Sequence, residues 1–191
     1  MLTVNDLYSL EQYSRLRPKF REEAIAHKKQ RQVELGNHIT LTFEDAKTVK
    51  YQIQEMLRIE RTFEQEGIQD ELDAYNPLIP TGTNLKATMF IEYGNPEERK
   101  VELQKLTGIE HKVYMQVDGH NPVFAIADED MERSTEDKTS AVHFMRFEFT
   151  PKMIQDIKSG KKFIVGVDHD TYQTSVELKD TTKENLTKDF V

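Results

Sequence analysis

Residues 48–93 read TVKYQIQEMLRIERTFEQEGIQDELDAYNPLIPTGTNLKATMFIEY, and three successive patterns in this stretch decide the fold. Val49, Ile53, Met56, Leu57 and Phe63 fall on one side of a helix at about 100° per residue, which predicts an amphipathic helix with one buried face. Glu60 sits on that same face. A carboxylate there must be paired, protonated or bound to a cation, because an isolated buried charge is too costly for a fold to carry. A shorter helical pattern over 65–74 runs into Tyr75-Asn76-Pro77-Leu78-Ile79-Pro80-Thr81-Gly82-Thr83-Asn84, where two prolines and a glycine exclude regular structure. Leu85, Ala87, Met89, Ile91 and Tyr93 then alternate with Lys86, Thr88, Phe90 and Glu92, which is the period of a central strand.

Upstream, Asn5 or Asp6 caps a short helix through about Ser14, with Leu7, Leu10 and Tyr13 inward. Pro18 suits the first turn of a second helix that runs to Leu35 and stops at Gly36. Phe20, Ala24, His27, Arg31 and Leu35 share one face of it, which makes His27 and Arg31 natural partners for Glu60. Ile39, Leu41 and Phe43 mark a first strand. Downstream, Asn95 and Pro96 open a charged helix over 97–106. A hairpin follows, with arms 111–117 and 122–127 joined through Asp118-Gly119-His120-Asn121. Residues 128–141 form a polar loop with six acids between Asp128 and Asp137. The remainder reads strand (142–149), helix (151–159), strand (162–168), strand (172–178) and a weak helical tail. The helix between two strands permits a parallel crossover. The expected class is α+β: a helical N-terminal half (1–84) packed on a mostly antiparallel sheet of about six or seven strands (85–179), with a tail (180–191), in one domain over 1–191.

Composition narrows the function classes. Charged residues make up 31% of the chain, and no apolar run approaches the ~18 residues of a membrane helix, so no membrane partner is expected. The start lacks a basic segment followed by an apolar one, which makes the cytoplasm the expected location. With no cysteine the chain holds no disulfide, no thiolate-ligated cluster and no thiol nucleophile. The net charge of -8 disfavours nucleic acid, although residues 1–31 carry seven Lys or Arg against four Asp or Glu.

Two constellations carry candidate chemistry. His27, Arg31, Gln52 and Glu60 all fall by helical phase on otherwise apolar faces; such a group orients a substrate carboxylate or works as general acid and base, or else it is a salt bridge joining two helices. His111, His143 and His169 extend the inward faces of their strands, and if the strand ends converge, three imidazoles with Asp128 or Asp168 suit a divalent metal such as zinc or iron. Convergence of His143 and His169 requires antiparallel strands, against the crossover spacing. Asp128, Asp130 and Glu132 resemble calcium-ligand spacing without the glycine and distal glutamate of an EF-hand, which favours a solvated loop. Lys86, Asn76 and Asn84 around the Pro/Gly loop are placed to recognise an anion. No P-loop, dinucleotide fingerprint, HExxH or GxSxG is present.

Taken together, SLEQY.RLRP.FR..AIAHKK.R.V.LG, YQIQEMLRIER, GIQDELDAYNPLIPTGTNLKAT, IADED and EDKTSAVHFMRFE resemble a bacterial family of unknown function over nearly the whole chain. Members of that family are often encoded beside a rubrerythrin-like protein or an iron-sulfur oxidoreductase of the heterodisulfide-reductase type. The resemblance implies an accessory role in a redox or peroxide-stress system, and the expected function is a binding protein that docks on an iron-sulfur or di-iron partner through the 74–86 loop, the 128–141 loop, or both. The resemblance assigns no functional residue and leaves the cofactor open. The alternative is a small enzyme with its Glu/His/Arg site at the helix-sheet junction, with or without a metal.

Overall fold

The computed structural model describes residues 1–135 and 137–191. Nine strands form two antiparallel sheets among the described residues. The first has the order β1 (Gln32–Leu35), β2 (Ile39–Phe43), β3 (Asn84–Ile91), β7 (Val142–Glu148), β6 (Ile126–Ala127). The second has the order β5 (Val123–Phe124), β4 (Val113–Val117), β8 (Phe163–His169), β9 (Tyr172–Glu177). Alternation along each strand aims one set of side chains into the space between the sheets: Leu41, Phe43, Leu85, Met89, Met145 and Phe147 from the first meet Val113, Met115, Val117, Phe163 and Val165 from the second, all buried. β5 and β6 are separated only by buried Ala125, so the chain steps from one sheet to the other there.

The outer face of the five-stranded sheet is covered by helices. α1 (Leu10–Lys29) packs on α2 (Ala46–Glu60), which packs on α3 (Gln65–Tyr75), and a single 3₁₀ turn (Asn76–Leu78) follows. α2 forms because Val49, Ile53 and Leu57 repeat at helical spacing and Asp45 caps its first turn, accepting from the Lys47 and Thr48 amides at 3.0 and 2.9 Å. These side chains and Leu72 form a second apolar cluster with the N-terminal Leu2, Val4, Leu7 and Leu10. Three further helices, α4 (Pro96–Lys105), α5 (Pro151–Lys158) and α6 (Asp180–Thr187), flank the sandwich. The chain ends against the Pro/Gly loop: the Val191 amide donates to the Gly82 carbonyl at 3.1 Å. Gly82 has φ 100°, and a Cβ there would meet Val191 Cγ2 at 3.0 Å, so only glycine suits the position.

Five sequence expectations differ from the structure. Pro18 lies inside one continuous α1 rather than opening a second helix, because it and Ser14, whose carbonyl loses its partner, are exposed to water. The helix ends at Lys29, and Gln32–Leu35 is instead β1, a hairpin with β2 across residues 36–38. Helix 151–159 makes no parallel crossover, since β7 and β8 belong to different sheets. Glu60 is exposed: α2 ends on it, Arg61 turns left-handed at φ 56°, and Phe63 stands 69% exposed beyond the reach of the core. The strands also divide between two sheets rather than forming one.

Candidate functional site

Between the helical cover and the outer face of the first sheet lies a cleft of two adjoining cavities, about 300 and 270 Å³, which share Tyr75, Leu78 and Phe144. Strand register builds its floor. Thr42, Thr88 and Phe144 lie side by side on β2, β3 and β7, and the next rung on the same face holds Lys86, Arg146 and Ile126. Phe90 and Val142 continue the floor of the smaller cavity. The cover contributes Val49 and Gln52 from α2, and Tyr75, Pro77 and Leu78 from the end of α3 and the turn after it. The larger cavity is bounded on the opposite side by Glu129 and Asp130.

The two cavities differ in charge. In the larger, Arg146 is already occupied: it holds Glu129 through two bonds at 2.9 and 2.7 Å and reaches Glu148 at 2.5 Å, which raises the guanidinium further and lowers the Glu129 carboxyl. Lys86, its neighbour across the strands, has no carboxylate within 4 Å among the described residues; its ammonium donates to the Pro77 carbonyl at 2.5 Å. Burial, then the Arg146 charge, lowers the Lys86 ammonium. An ammonium has three donors, so two remain for a ligand. In the smaller cavity the acidic group is Glu44, 8% exposed, which accepts from the Thr48 hydroxyl at 2.5 Å and the Thr88 hydroxyl at 2.7 Å. Lys28 lies on the rim with its ammonium 5.7 Å from the Tyr51 ring centre.

The structure distributes the sequence candidates among several places. His27 Nε2 meets Asp45 at 2.5 Å. Arg31, 1% exposed, donates to the carbonyls of Phe43 (2.9 Å), Glu44 (3.1 Å) and Asn185 (3.2 Å) and is ion-paired with Asp189 and, at 3.5 Å, Asp45. This group ties α1, the β2–α2 connection and the C-terminal tail together. Burial raises the Asp189 carboxyl although Arg31 holds it back. At Asp45 burial is outweighed by Arg31, the Thr48 amide and His27, and the carboxyl is lowered. Glu60 lies at the far end of α2, roughly 20 Å away at 1.5 Å per residue, so it is no partner of His27 or Arg31. Its charge instead raises nearby Glu71, after burial as the larger cause. Gln52 alone of the four lines the cleft.

The three histidines do not come together. His111 is exposed in a 3₁₀ turn before β4, His143 is on β7 of the first sheet, and His169 ends β8 of the second, bonded to the Thr107 carbonyl and the Thr171 hydroxyl. No metal-binding group of three His, Asp or Glu side chains occurs among the described residues. His143 is fully buried and belongs to a polar chain: Nδ1 faces Asp128 at 2.6 Å, Nε2 faces the Thr139 hydroxyl at 2.8 Å, and Thr139 donates to Glu110 at 3.1 Å. Arg133 pairs with Asp128 and Asp130, which fastens the acidic loop from within. Glu136, one of the six acids, lies outside the described residues. Asn76 is consumed by the Leu2 backbone and Asn84 by Thr81 and Glu148, so of the anion-recognising trio only Lys86 faces a cavity. Glu44, Thr88, Tyr75, Phe144 and Arg146 were not legible as site residues, although Thr42, Thr88 and Lys86 alternate on the polar face of their strands.

An α+β protein with a two-sheet sandwich, a helical cover and a cleft between cover and sheet is the class these features define. The chain belongs to the family described as protein of unknown function DUF3501, which matches residues 1–190. It is similar to a solved structure described as a novel protein of unknown function from Burkholderia pseudomallei K96243: 48% identical, covering 100% of this chain and 99% of that one, with a TM-score of 0.95. No curated protein matches the sequence.

Proposed function

We propose that this is a binding protein whose cleft takes a small organic molecule with an apolar body and an anionic group. The observation that carries this reading is Lys86. A half-buried ammonium with no carboxylate within 4 Å among the described residues, set in a wall of Tyr75, Leu78, Ile126 and Phe144, leaves donors for an anion beside apolar surface. The accessory role implied by the sequence resemblance fits the same place. Ala74, Tyr75, Pro77, Leu78 and Lys86 of one loop and Glu129 and Asp130 of the other line the larger cavity, so an iron-sulfur or di-iron partner docked there would cover the bound molecule.

The test is titration with 8-anilinonaphthalene-1-sulfonate, an apolar ring system with one anionic group, followed by fluorescence on the native protein. Wild type binds one equivalent saturably. Lys86→Met binds at least about tenfold more weakly, since a hydrogen bond to a charged group contributes about 1.5–3 kcal/mol. Equal affinity in the two proteins overturns the assignment.

A further inference from the structure

We infer that the cleft selects a bipolar ligand: an anion at Lys86, and at Glu44 a cationic amine, separated by a body about one aromatic ring long. This rests on the cleft being the binding site and deepens it by assigning the second cavity. Glu44 is 8% exposed, lines that cavity, and has no cation within 4 Å among the described residues. A carboxylate offers about four acceptor positions, and the Thr48 and Thr88 hydroxyls occupy two. The nearest buried cation, Arg31, is committed elsewhere: it reaches only the Glu44 backbone carbonyl and spends its charge on Asp189 and Asp45. A buried carboxylate is retained where something completes it, and the open side here is the cavity.

Geometry sets the length of the ligand. Lys86 and Thr88 are alternate residues of β3 on one face, their Cα atoms about 7 Å apart at the rise of a strand, and Thr88 holds Glu44 at 2.7 Å. Tyr75, Leu78 and Phe144 are common to both cavities, so the body of the ligand crosses from one to the other over these side chains. The two charged ends and the apolar bridge are therefore one site with opposite polarity at its ends.

Displacement of bound 8-anilinonaphthalene-1-sulfonate by 4-(aminomethyl)benzoate and by 4-ethylbenzoate tests this, because the two compounds have the same shape and one carboxylate, and differ only in the ammonium. The expected result is that wild type prefers the amine at least fivefold. Glu44→Gln abolishes the preference, and Lys86→Met weakens both compounds. The wild-type preference is read without any variant, so it stands independently of how Glu44→Gln folds. Equal or better displacement by 4-ethylbenzoate overturns the bipolar assignment and leaves the anionic cleft intact, as does a preference that survives in Glu44→Gln. Failure of the fluorescent probe itself to bind overturns both.

Discussion

Replacing Arg31 with Met separates a structural from a catalytic role for this buried guanidinium. The substitution keeps much of the aliphatic stem but removes three hydrogen bonds to carbonyls and both ion pairs, leaving the Asp189 side chain, 9% exposed, without a cation. Breaking one side of a buried pair costs about 3–5 kcal/mol. For a chain of this length that lowers Tm by roughly 6–20 °C. The loss is pH-dependent, and its sign follows from Asp189, whose carboxyl is raised by burial. A raised carboxyl favours the fold below the unfolded value and loses that contribution as pH rises through the folded one. Without Arg31 the carboxyl rises further, so the defect is smallest near pH 4 and grows toward pH 7. The assay is urea unfolding of both proteins across that range, together with the fluorescent probe titration. A destabilisation under about 1 kcal/mol at pH 7, or one that grows as pH falls, refutes the clamp. Probe affinity unchanged in the folded variant is the expected companion result.

Other perturbations follow from the same contacts. Glu55 accepts from Arg17 at 2.8 and 2.9 Å and from the Tyr13 hydroxyl at 2.7 Å, and Arg17 first, against burial, lowers its carboxyl from 4.5 to about 2. That contribution is present above pH 4.5 and lost as pH falls through 2. Its ceiling is about 3 kcal/mol, reduced by solvent screening at Arg17 to about 1–2, so Glu55→Gln is less stable than wild type by that amount at pH 7 and equal to it near pH 2. A difference that does not change with pH contradicts this. His143→Ala removes the partner of Asp128 and loosens the 128–141 loop, costing about 2–4 kcal/mol and speeding tryptic cleavage at Arg133 and Lys138; an unchanged cleavage rate would show that Arg133 holds the loop alone.

Helix α2 and strand β3 are legible because each keeps one period for long enough, with Val49, Ile53 and Leu57 at helical spacing and Leu85, Ala87, Met89 and Ile91 alternating, while two prolines and Gly82 mark the break between α3, which buries only Leu72, and β3. The α+β class followed from them. β1 is hidden because Leu35 continues the face of Phe20, Ala24, His27 and Arg31, and four residues are too few to outweigh a long helical pattern; the alternation from Val33 to Leu35, followed by Gly36-Asn37, is the signal available. Glu60 was misplaced by extending the α2 wheel past the point where a core existed to bury it. Arg31 stands out in the sequence only through a helical face that the structure ends at Lys29, and two of its partners, Asp189 and Asn185, lie more than 150 residues away in the chain, where no local spacing encodes them. The cleft was obscured for the same reason. Its floor is set by cross-strand register, which brings Lys86 beside Arg146 and Thr88 beside Phe144, and its wall by Tyr75 at the end of a helix. Lys86 was nonetheless picked out as an anion-recognising residue from its position after the Pro/Gly loop.

The central claim is the location of the binding site, and the most direct measurement is an amide ¹H–¹⁵N chemical-shift titration with 8-anilinonaphthalene-1-sulfonate. Perturbations that concentrate on Tyr75, Leu78, Lys86, Phe144 and Arg146, on both the sheet and the cover, are the predicted result. Perturbations centred instead on the exposed Ile59 and Phe63, with the cleft residues unmoved, would contradict it.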